Sequence, residues 1–342
     1  MTGRPPEVSV VVPTCGRSDL LRGTLEALAA QDYPPARYEV LVQVDGPDPA
    51  ARAVVAEVAR HAPCAMSAGE HPRGGAGRAR NAGIARARGR IVVMLDDDIV
   101  AAPQLLRAHA EAHGGADDRV IVGLLPVERT EPEPAHARLV RQWWDGVHAE
   151  RLSPAHRATF RDFVTGNVSV SRARLLAAGG FDADFAGYGR EDYELGHRLL
   201  SAGLCLRFAP DAVGLHRFRK PVLRWVRQMR DQGRADVLFA RKHPSLAVEI
   251  MGLSPFPLVP WCAPVVARAE RLVVAKAAEG GPLWERAAAL AQSAHYWRGI
   301  VEAVRDRAEL RALAAAQRLA RGWEARLAAR DRVALALAWW AA

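Results

Sequence analysis

The first third of the chain alternates short apolar runs with stretches whose apolar residues recur at helical spacing. Residues 8–12 (VSVVV) form a β-branched run that a proline ends, and leucines recur at helical spacing in residues 18–31. A second run, YEVLVQVD, ends at an Asp-Gly-Pro turn, and an Ala- and Val-rich helical stretch then extends to about His61. The pattern predicts two successive strand–helix units.

A third unit begins with a turn instead of a strand. The Gly-rich residues 74–77 lead into a predicted helix that carries several arginines, and the apolar strand 91–95 follows. Strands that alternate with helices predict an α/β protein with a parallel sheet covered on both faces. Ligands of such sheets bind outside the carboxyl ends of the strands. The residues that end each strand are therefore the first candidates for function.

Carboxylates cluster at two of these predicted strand ends. Asp45 ends the second strand, and Asp96, Asp97 and Asp98 directly follow the strand 91–95. Adjacent carboxylates repel one another unless water or a cation takes up their charge. Mg²⁺ and Mn²⁺ prefer oxygen ligands and are usually held by one or two carboxylates together with substrate phosphates. The Asp-x-Asp pair is therefore a candidate cation site, and a solvated acidic turn is the alternative interpretation.

The Gly-rich turn superficially resembles a dinucleotide-binding fingerprint. The third glycine of that fingerprint is replaced by Arg80, and no strong strand leads directly into the turn, so we reject this interpretation. Arg80 and Asn81 lie on a predicted helix at the same edge as the carboxylates. We expect them to donate hydrogen bonds to phosphate or ribose.

A second acidic pair precedes another predicted helix. Glu191 and Asp192 follow a glycine-punctuated loop, and either of them could cap the helix, because the helix dipole stabilises negative charge at its start. A catalytic role would require one of them to act as a general base toward an acceptor hydroxyl. Farther along the chain, His216 ends a strand-like segment, and a lone histidine of this kind is more often structural than a ligand.

The remaining chain is predicted to contain an aperiodic excursion and then helices. Residues 128–160 are rich in Pro, His and Trp and lack clear periodicity, which indicates a long excursion over the site. Beyond about residue 221 apolar residues recur at helical spacing among many arginines. The apolar stretch 252–266 contains four prolines, which exclude a regular membrane-spanning helix there.

Composition leaves the partner open but narrows the class of protein. The chain has 342 residues, is 50% hydrophobic and 25% charged, and carries a formal net charge of +9, so a large core and an anionic partner are both plausible. The four cysteines are far apart, which predicts neither a zinc ribbon nor a disulfide scaffold. The N-terminus lacks the features of a signal peptide, and we expect a cytoplasmic protein.

Several sequence blocks in a fixed order resemble the family 2 glycosyltransferases, which have the GT-A fold. The blocks are VSVVVPTCGRSDLLRGTLEALAAQDYPPARYEVLVQVDG, GRARNAGIARARGRIVVMLDDD, FVTGNVSVSRARLLAAGGFDADFAGYGREDYELGHRLLSAG and the final His216. The resemblance covers roughly residues 7 to 217. It implies a mostly parallel sheet with a Rossmann-like nucleotide-binding half in residues 1–220, followed by a helical C-terminal region in residues 221–342.

The resemblance also implies a reaction and assigns roles to residues. The reaction is an inverting transfer of a sugar from a nucleotide-diphosphate donor, with a UDP-sugar favoured, to a hydroxyl of a glycan, lipid-linked or small-molecule acceptor. Asp96 would contact the ribose, Asp98 would bind Mg²⁺ or Mn²⁺, and His216 would bind the metal or the diphosphate. Asp192 would be the catalytic base, with Glu191 as the alternative. Further implied contacts to the nucleotide sugar come from Pro13, Thr14, Arg17, Asp45, Asp97, Gly166 and Asn167.

Two details qualify these assignments. The family often has two aspartates where this chain has Val44-Asp45, which leaves the identity of the nucleotide base open. Trp143 and Trp144 lie in the predicted excursion, where an aromatic face could stack on an acceptor sugar, and core packing is an equal alternative.

Other classes of protein fit the sequence less well. A sugar nucleotidyltransferase needs a Gly-rich loop after the first strand, where this chain has PTCGRSDLL. The arginine-rich runs suit nucleic acid, but the acidic residues at the ligand edge would repel phosphate backbones, so we expect no nucleic-acid partner. HAEAH (residues 109–113) lacks the HExxH order of a zinc hydrolase and is predicted to be a surface helix.

The role of the C-terminal region remains open at this stage. Its arginine-rich helices could dock on the catalytic domain, form a dimer or rest on an anionic membrane surface at the inner face of the membrane. Docking is favoured, and the sequence does not determine the oligomeric state.

Overall fold

A computed structural model describes residues 5–253 and 262–327, with the side chains of 321–327 left out. The chain divides into two compact units. The first comprises Met1–Glu128, Val147–Ala186 and Glu191–Phe218, and the second comprises Arg129–Gly146, Gly187–Arg190 and Arg219–Ala342.

The first unit is built on a sheet of eight strands in the order β3-β2-β1-β4-β7-β6-β8-β5. The strands are β1 (Val8–Thr14), β2 (Tyr38–Asp45), β3 (Ala65–His71), β4 (Ile91–Leu95), β5 (Ile99–Ala101), β6 (Arg119–Leu124), β7 (Asn167–Ser171) and β8 (Cys205–His216). Strands β3, β2, β1 and β4 are mutually parallel, as are β6 and β8, whereas β7 runs antiparallel to β4 and β6 and β5 runs antiparallel to β8. The predicted mostly parallel α/β sheet is confirmed.

Helices of the first unit pack on this sheet through apolar faces. They are α1 (Ser18–Ala29), α2 (Pro49–Ala59), α3 (Ala76–Arg86), α4 (Leu105–His113), α6 (Arg172–Ala177) and α7 (Glu191–Ser201), while α5 (Ala135–Arg151) runs from the second unit into the first. Leu21, Leu25 and Leu28 form the buried stripe of α1. The Asp48 side chain caps α2 by accepting a hydrogen bond from the Ala51 amide.

The structure corrects three predictions about these elements. Strand β3 was not predicted, because its sequence AMSAGEH lies at the edge of the sheet and no residue of it is fully buried. Residues 128–160 were expected to lack periodicity, but they contain the 17-residue helix α5. Its buried positions include His136, His148 and Arg151 beside Trp144, so polar residues interrupt the hydrophobic period of the helix.

The third correction concerns the HAEAH segment on α4. It was predicted to lie on the surface, but His109 and His113 have no exposed surface. His109 Nδ1 and His113 Nε2 each lie 2.9 Å from Ser169 Oγ, and His109 Nε2 lies 2.8 Å from Asn167 Oδ1. The pair therefore bonds to β7 beneath the helix.

The second unit is helical throughout its described part beyond residue 219, which confirms the predicted helical C-terminal region. Its helices are α8 (Val222–Arg227), α9 (Met229–Lys242), α10 (Ala247–Gly252), α11 (Ala263–Ala275), α12 (Pro282–Ala303) and α13 (Arg307–Leu327). Val237, Met251, Trp297 and Leu313 belong to a buried cluster shared by α9, α10, α12 and α13.

The proline-rich stretch 252–266 is only partly described. Residues 254–261, with three of its four prolines, lie outside the described residues, and Pro264 lies in the first turn of α11. Among the residues that are described, no helix is both long and apolar enough to cross a membrane.

Candidate active site

The carboxyl ends of three parallel strands bring the predicted ligand residues to one edge of the sheet. Strand β1 pairs in parallel with both β2 and β4, so that Thr14, Asp45 and Asp96 come at or just beyond neighbouring strand ends. Pro13 lies one residue before Thr14 and pairs with Gln43 of β2. The topology thus collects these residues from separate segments of the chain, as expected for a parallel sheet.

Asp97 points into the protein at this edge. It has no exposed surface, accepts a hydrogen bond of 2.7 Å from Thr14 Oγ1 and forms an ion pair with Arg17. Burial is the main cause that raises the pKa of Asp97 to about 7, while the charge of Arg17 opposes the rise. A carboxylate held in this way anchors the loop after β4 to Thr14 and Arg17.

Asp98 lies beside His216, the histidine that ends β8. His216 pairs with Ile99 in the β5–β8 ladder, and its Nε2 atom lies 3.6 Å from Asp98 Oδ2. Arg17 Nη1 donates a hydrogen bond of 2.6 Å to the same oxygen. Burial opposes the ionised form of Asp98, but His216 and Arg17 outweigh it and lower the pKa of this carboxyl to about 2.

The donor set at Asp98 and His216 suits a divalent cation. An ionised carboxylate and a neighbouring imidazole are both ligands that Mn²⁺ accepts. Within residues 5–253 and 262–327, no cluster of three or more His, Cys, Asp or Glu side chains is arranged to hold a metal ion. Two protein ligands would leave the remaining positions to water and substrate phosphate, which is the usual arrangement for Mg²⁺ in phosphate sites.

Arg80 of α3 connects the two acidic clusters that the sequence singled out. Its side chain is almost completely buried, with Nη2 2.6 Å from Asp96 Oδ1 and Nη1 3.4 Å from Glu191 Oε1. The clusters lie about a hundred residues apart in sequence, and the guanidinium holds them together. Both terminal nitrogens of Arg80 bind carboxylates in this structure, and its contact with phosphate or ribose stays a prediction.

Glu191 and Asp192 begin α7, and their carboxylates have different contacts. Glu191 pairs with Arg80 and has one carboxylate oxygen, Oε2, buried without a hydrogen-bond partner. Asp192 is partly exposed, and its Oδ1 atom accepts a hydrogen bond of 2.8 Å from the amide of Tyr193. The Glu191 carboxylate is thus committed to an ion pair with a buried arginine.

Asp45 holds the Gly-rich turn that precedes α3. Its carboxylate accepts hydrogen bonds from the amides of Gly74, at 2.6 Å, and Gly75, at 3.0 Å. Gly75 has a φ of +88°, and a Cβ atom there would lie 2.6 Å from the carbonyl oxygen of Ala186. The turn therefore requires glycine, and Asp45 fixes the start of the helix that carries Arg80.

Two predicted ligand residues serve the protein interior instead. Asn81 was expected to bind phosphate or ribose, but its amide group pairs with the backbone of Phe181 through two hydrogen bonds of 2.8 Å. Asn167 was expected at the donor sugar, but its side chain is fully buried and bonds to His109 and to the carbonyl oxygens of Leu124 and Ala212. Neither amide is available at the ligand edge.

Gly166 does lie at that edge. A Cβ atom at Gly166 would be 3.5 Å from Asp96 Oδ2 and 3.0 Å from Leu125 Cδ1. The buried network of Asn167 and His109 anchors the residue that follows Gly166, and sequence reasoning missed that network. The only signal for it was the spacing of four between His109 and His113, which a surface helix would show equally.

The two tryptophans proposed for the acceptor belong to the second unit. Trp143 and Trp144 lie on α5, with ring centroids 4.9 Å apart in an edge-to-face arrangement. Trp143 is 39% exposed and Trp144 is buried. Of the two tryptophans, Trp143 is the one that presents its ring to solvent.

Comparison with known proteins identifies related sequences. The profile of the family described as "Glycosyltransferase like family 2" matches residues 5–236. Validoxylamine A glucosyltransferase of Streptomyces hygroscopicus subsp. limoneus is 31% identical over 276 residues, which cover 73% of this chain and 59% of that protein. The uncharacterized glycosyltransferase YfnE of Bacillus subtilis (strain 168) is 26% identical over 254 residues, covering 61% and 64% of the two chains. The chain thus spans about three fifths of the length of the first of these relatives.

Solved structures show a similar fold. A mannosyltransferase from Pyrobaculum calidifontis, in complex with GDP-Man and Mn²⁺, matches 92% of this chain and 87% of its own with a TM-score of 0.57 and 22% identity. S. aureus TarS residues 1–349, in complex with UDP-GlcNAc, matches 86% of this chain and 90% of its own with a TM-score of 0.52 and 18% identity. At these identities the likeness concerns the fold alone.

Proposed function

The chain belongs to the family 2 glycosyltransferases, and from that premise we propose that it transfers a sugar, with inversion, from a nucleotide-diphosphate sugar to a hydroxyl acceptor. The observation that carries the proposal is the link made by Arg80. It joins Asp96, at the end of β4, to Glu191, at the start of α7, so that a donor site and a general base can lie side by side.

In this proposal the donor occupies the carboxyl edge of the sheet. Asp96 has 34% of its side chain exposed at the end of β4 and is the carboxylate we assign to the ribose. Pro13, Thr14 and Asp45 form the adjoining edge that would receive the nucleobase. Gly166 has no side chain, which would leave space for the donor sugar next to Asp96.

Asp98 and His216 are the residues we assign to the cation. They would hold Mg²⁺ or Mn²⁺, which when bound supplies positive charge for a departing diphosphate. Arg17 also contributes positive charge at this position, because it bonds to Asp98 and pairs with Asp97. Asp97 acts indirectly, since its buried carboxylate fixes Thr14 and Arg17.

We assign the role of general base to Asp192. An inverting transfer needs one carboxylate to take the proton of the acceptor hydroxyl while that oxygen attacks the anomeric carbon. Asp192 is partly exposed at the first turn of α7, whereas Glu191 is turned toward Arg80. Glu191 is therefore better suited to fix the position of the helix than to accept a proton.

Relatives and structural neighbours suggest which substrates to test. The neighbours were solved in complex with GDP-Man or UDP-GlcNAc, and two relatives are named as glucosyltransferases of validoxylamine A. We propose a UDP-sugar as donor, and an exposed Trp143 as a stacking surface for a sugar-like acceptor.

A cytoplasmic location and contact with an anionic membrane surface are a separate proposal. Its support is the net charge of +9 together with exposed Val265, Leu283 and Val301 on the helices of the second unit. Flotation with anionic liposomes tests it. Recovery of all the protein in the soluble fraction would refute the membrane contact.

The reaction is tested with UDP-glucose, UDP-GlcNAc and GDP-mannose, each incubated with validoxylamine A or a simple sugar as acceptor and with Mn²⁺. We expect one donor to release its nucleoside diphosphate in an acceptor-dependent way. Because these donors carry α-linked sugars, inversion should give a β-linked product, which the anomeric coupling constant in NMR reports. An α-linked product would contradict the inverting mechanism, and no release from any donor would contradict the proposal for these donors.

A further inference from the structure

The loop just before the acidic pair lies along α9 of the second unit. This loop, residues 187–190, contains two glycines beside the helix. A Cβ atom at Gly189 would lie 2.6 Å from Gln232 Oε1, whereas one at Gly187 would be in ordinary contact, 3.7 Å from Asp231 Cβ. Gly189 also has a φ of +99°, which favours glycine. The path of the loop is therefore set by α9.

Arg190 ends this loop in an unfavourable backbone conformation. Its φ is +69°, and it is the one residue other than glycine with a positive φ in the part of the chain that the structure describes. In the left-handed region the Cβ atom of an L-residue is crowded by the following carbonyl group. Such a conformation persists only where surrounding contacts hold it, and it is found most often at functional sites.

Asp236 of α9 supplies the contacts that hold Arg190. The Asp236 side chain has no exposed surface, and its Oδ1 and Oδ2 atoms lie 2.5 Å from Arg190 Nε and 3.4 Å from Arg190 Nη2. Tyr296 donates its hydroxyl to Oδ2 at 2.7 Å, and Gln232 donates to Oδ1 at 3.1 Å. A buried carboxylate requires such partners, so Asp236 fixes the guanidinium in one place.

The packing of α9 against α12 makes this arrangement rigid. A Cβ atom at Gly233 of α9 would collide with the carbonyl oxygen of Tyr296, and one at Gly299 of α12 would collide with the carbonyl oxygen of Arg230. The two helix backbones are therefore in direct contact next to Asp236 and Tyr296.

We propose that Asp236 is a positioning residue for the catalytic base. Arg190 is joined by a peptide bond to Glu191, and the ion pair with Asp236 maintains the backbone angle at Arg190, two residues before Asp192. This inference rests on the proposed function of Asp192 as base.

Hydrogen exchange tests the conformational part without any substrate. Asp236→Asn keeps the size of the side chain and removes its charge, and Glu309→Gln is the matched control, because Glu309 pairs with Arg241 of the same helix α9 at 2.6 Å. We expect amides 190–195 to exchange roughly 10-fold faster in Asp236→Asn and at the wild-type rate in Glu309→Gln. Unchanged exchange in Asp236→Asn, or an equal change in both variants, would overturn the inference.

Tyr296→Phe provides a second variant in case Asp236→Asn does not fold. It removes one hydroxyl and leaves the ion pair with Arg190 intact. We expect faster exchange of the same amides, by a smaller factor than a loss of the ion pair would cause. If Asp236→Asn fails to fold and the amides of Tyr296→Phe exchange at the wild-type rate, the inference that Asp236 holds Arg190 in place would be overturned.

Kinetics test the functional part. With the donor that the wild-type enzyme uses, Asp236→Asn should lower kcat roughly 10-fold, because a small displacement of the base is costly, and should leave nucleotide binding unchanged. In an Asp192→Asn background the same change should cause no further loss, since the two residues act as one unit. Faster exchange with an unchanged kcat would overturn the positioning role. Absence of turnover in the wild type would refute the proposed function. Hydrogen exchange of amides 190–195 would then decide by itself whether Asp236 holds Arg190 in place.

Discussion

Arg80 Nη2 lies 2.6 Å from Asp96 Oδ1, and this ion pair joins α3 to the three aspartates that directly follow β4. The arginine has almost no exposed surface, and its other terminal nitrogen faces Glu191. A buried guanidinium that holds two carboxylates from distant segments keeps the proposed donor site and the start of α7 in a fixed relation.

Replacement of Arg80 by Gln should destabilise the protein strongly. The variant leaves Asp96 and Glu191 facing each other without a counter-charge, and removal of one partner of a buried ion pair costs about 3–5 kcal/mol. Urea unfolding measures the loss. Arg86→Gln on the same helix is the control, because Arg86 is exposed and its replacement should change the free energy of unfolding by less than about 0.5 kcal/mol. Equal effects of the two variants would show that Arg80 does not hold the site together.

Replacement of Asp192 by Asn should abolish transfer and preserve donor binding. Loss of a general base lowers the rate by roughly 10²–10⁴-fold, whereas the nucleotide contacts we propose lie on other elements. Initial rates of nucleoside diphosphate release, together with calorimetric binding of the nucleotide, separate the two quantities. Glu191→Gln is the companion variant, and we expect it to lower stability more than Asp192→Asn and kcat less. A larger loss of kcat in Glu191→Gln than in Asp192→Asn would assign the role of general base to Glu191.

Stability should fall as the pH is lowered through the range set by the α4 histidines. Burial lowers the pKa of His109 and of His113 to about 4, from a usual value near 6.5. Between about pH 6.5 and pH 4 the unfolded chain binds protons at these positions and the folded chain does not, so the free energy of unfolding decreases as the pH falls.

Urea unfolding at several pH values tests this expectation. Each unit of pKa difference corresponds to about 1.4 kcal/mol, and the double variant His109→Gln/His113→Gln should show a flatter dependence than the wild type. His61→Gln, at an exposed position, should leave the dependence unchanged. Identical slopes in the wild type and the double variant would contradict neutral buried histidines.

Local pattern was enough to predict strands that are rich in buried aliphatic residues. Strands β1, β2 and β4 each contain several buried valines, and each was found from its sequence. Strand β3 and helix α5 were missed because their buried positions hold few aliphatic side chains. Hydrophobic periodicity detects an element only where burial and hydrophobicity coincide.

Side-chain direction limited the prediction of the site. The sequence placed Asp96 and Asp98 correctly at a strand end, but it did not show that Asn81 would bond to Phe181 or that Asn167 would turn into the core. The contact of Arg190 with Asp236 joins residues 46 apart in the chain, and no local pattern encodes it. Such contacts depend on tertiary packing, which one sequence does not reveal.

Calorimetric titration with UDP, GDP, TDP and CDP tests the central claim, a metal-dependent nucleotide site at Asp98, most directly. The wild-type protein is titrated in Mn²⁺ and in EDTA, alongside Asp98→Ala in Mn²⁺, with thermal unfolding to confirm that the variant is folded. The account predicts that one nucleotide binds in Mn²⁺ and that EDTA and the variant each weaken this binding by roughly 10-fold or more. Binding that is equally tight in all three conditions, or no binding of any nucleotide, would contradict it.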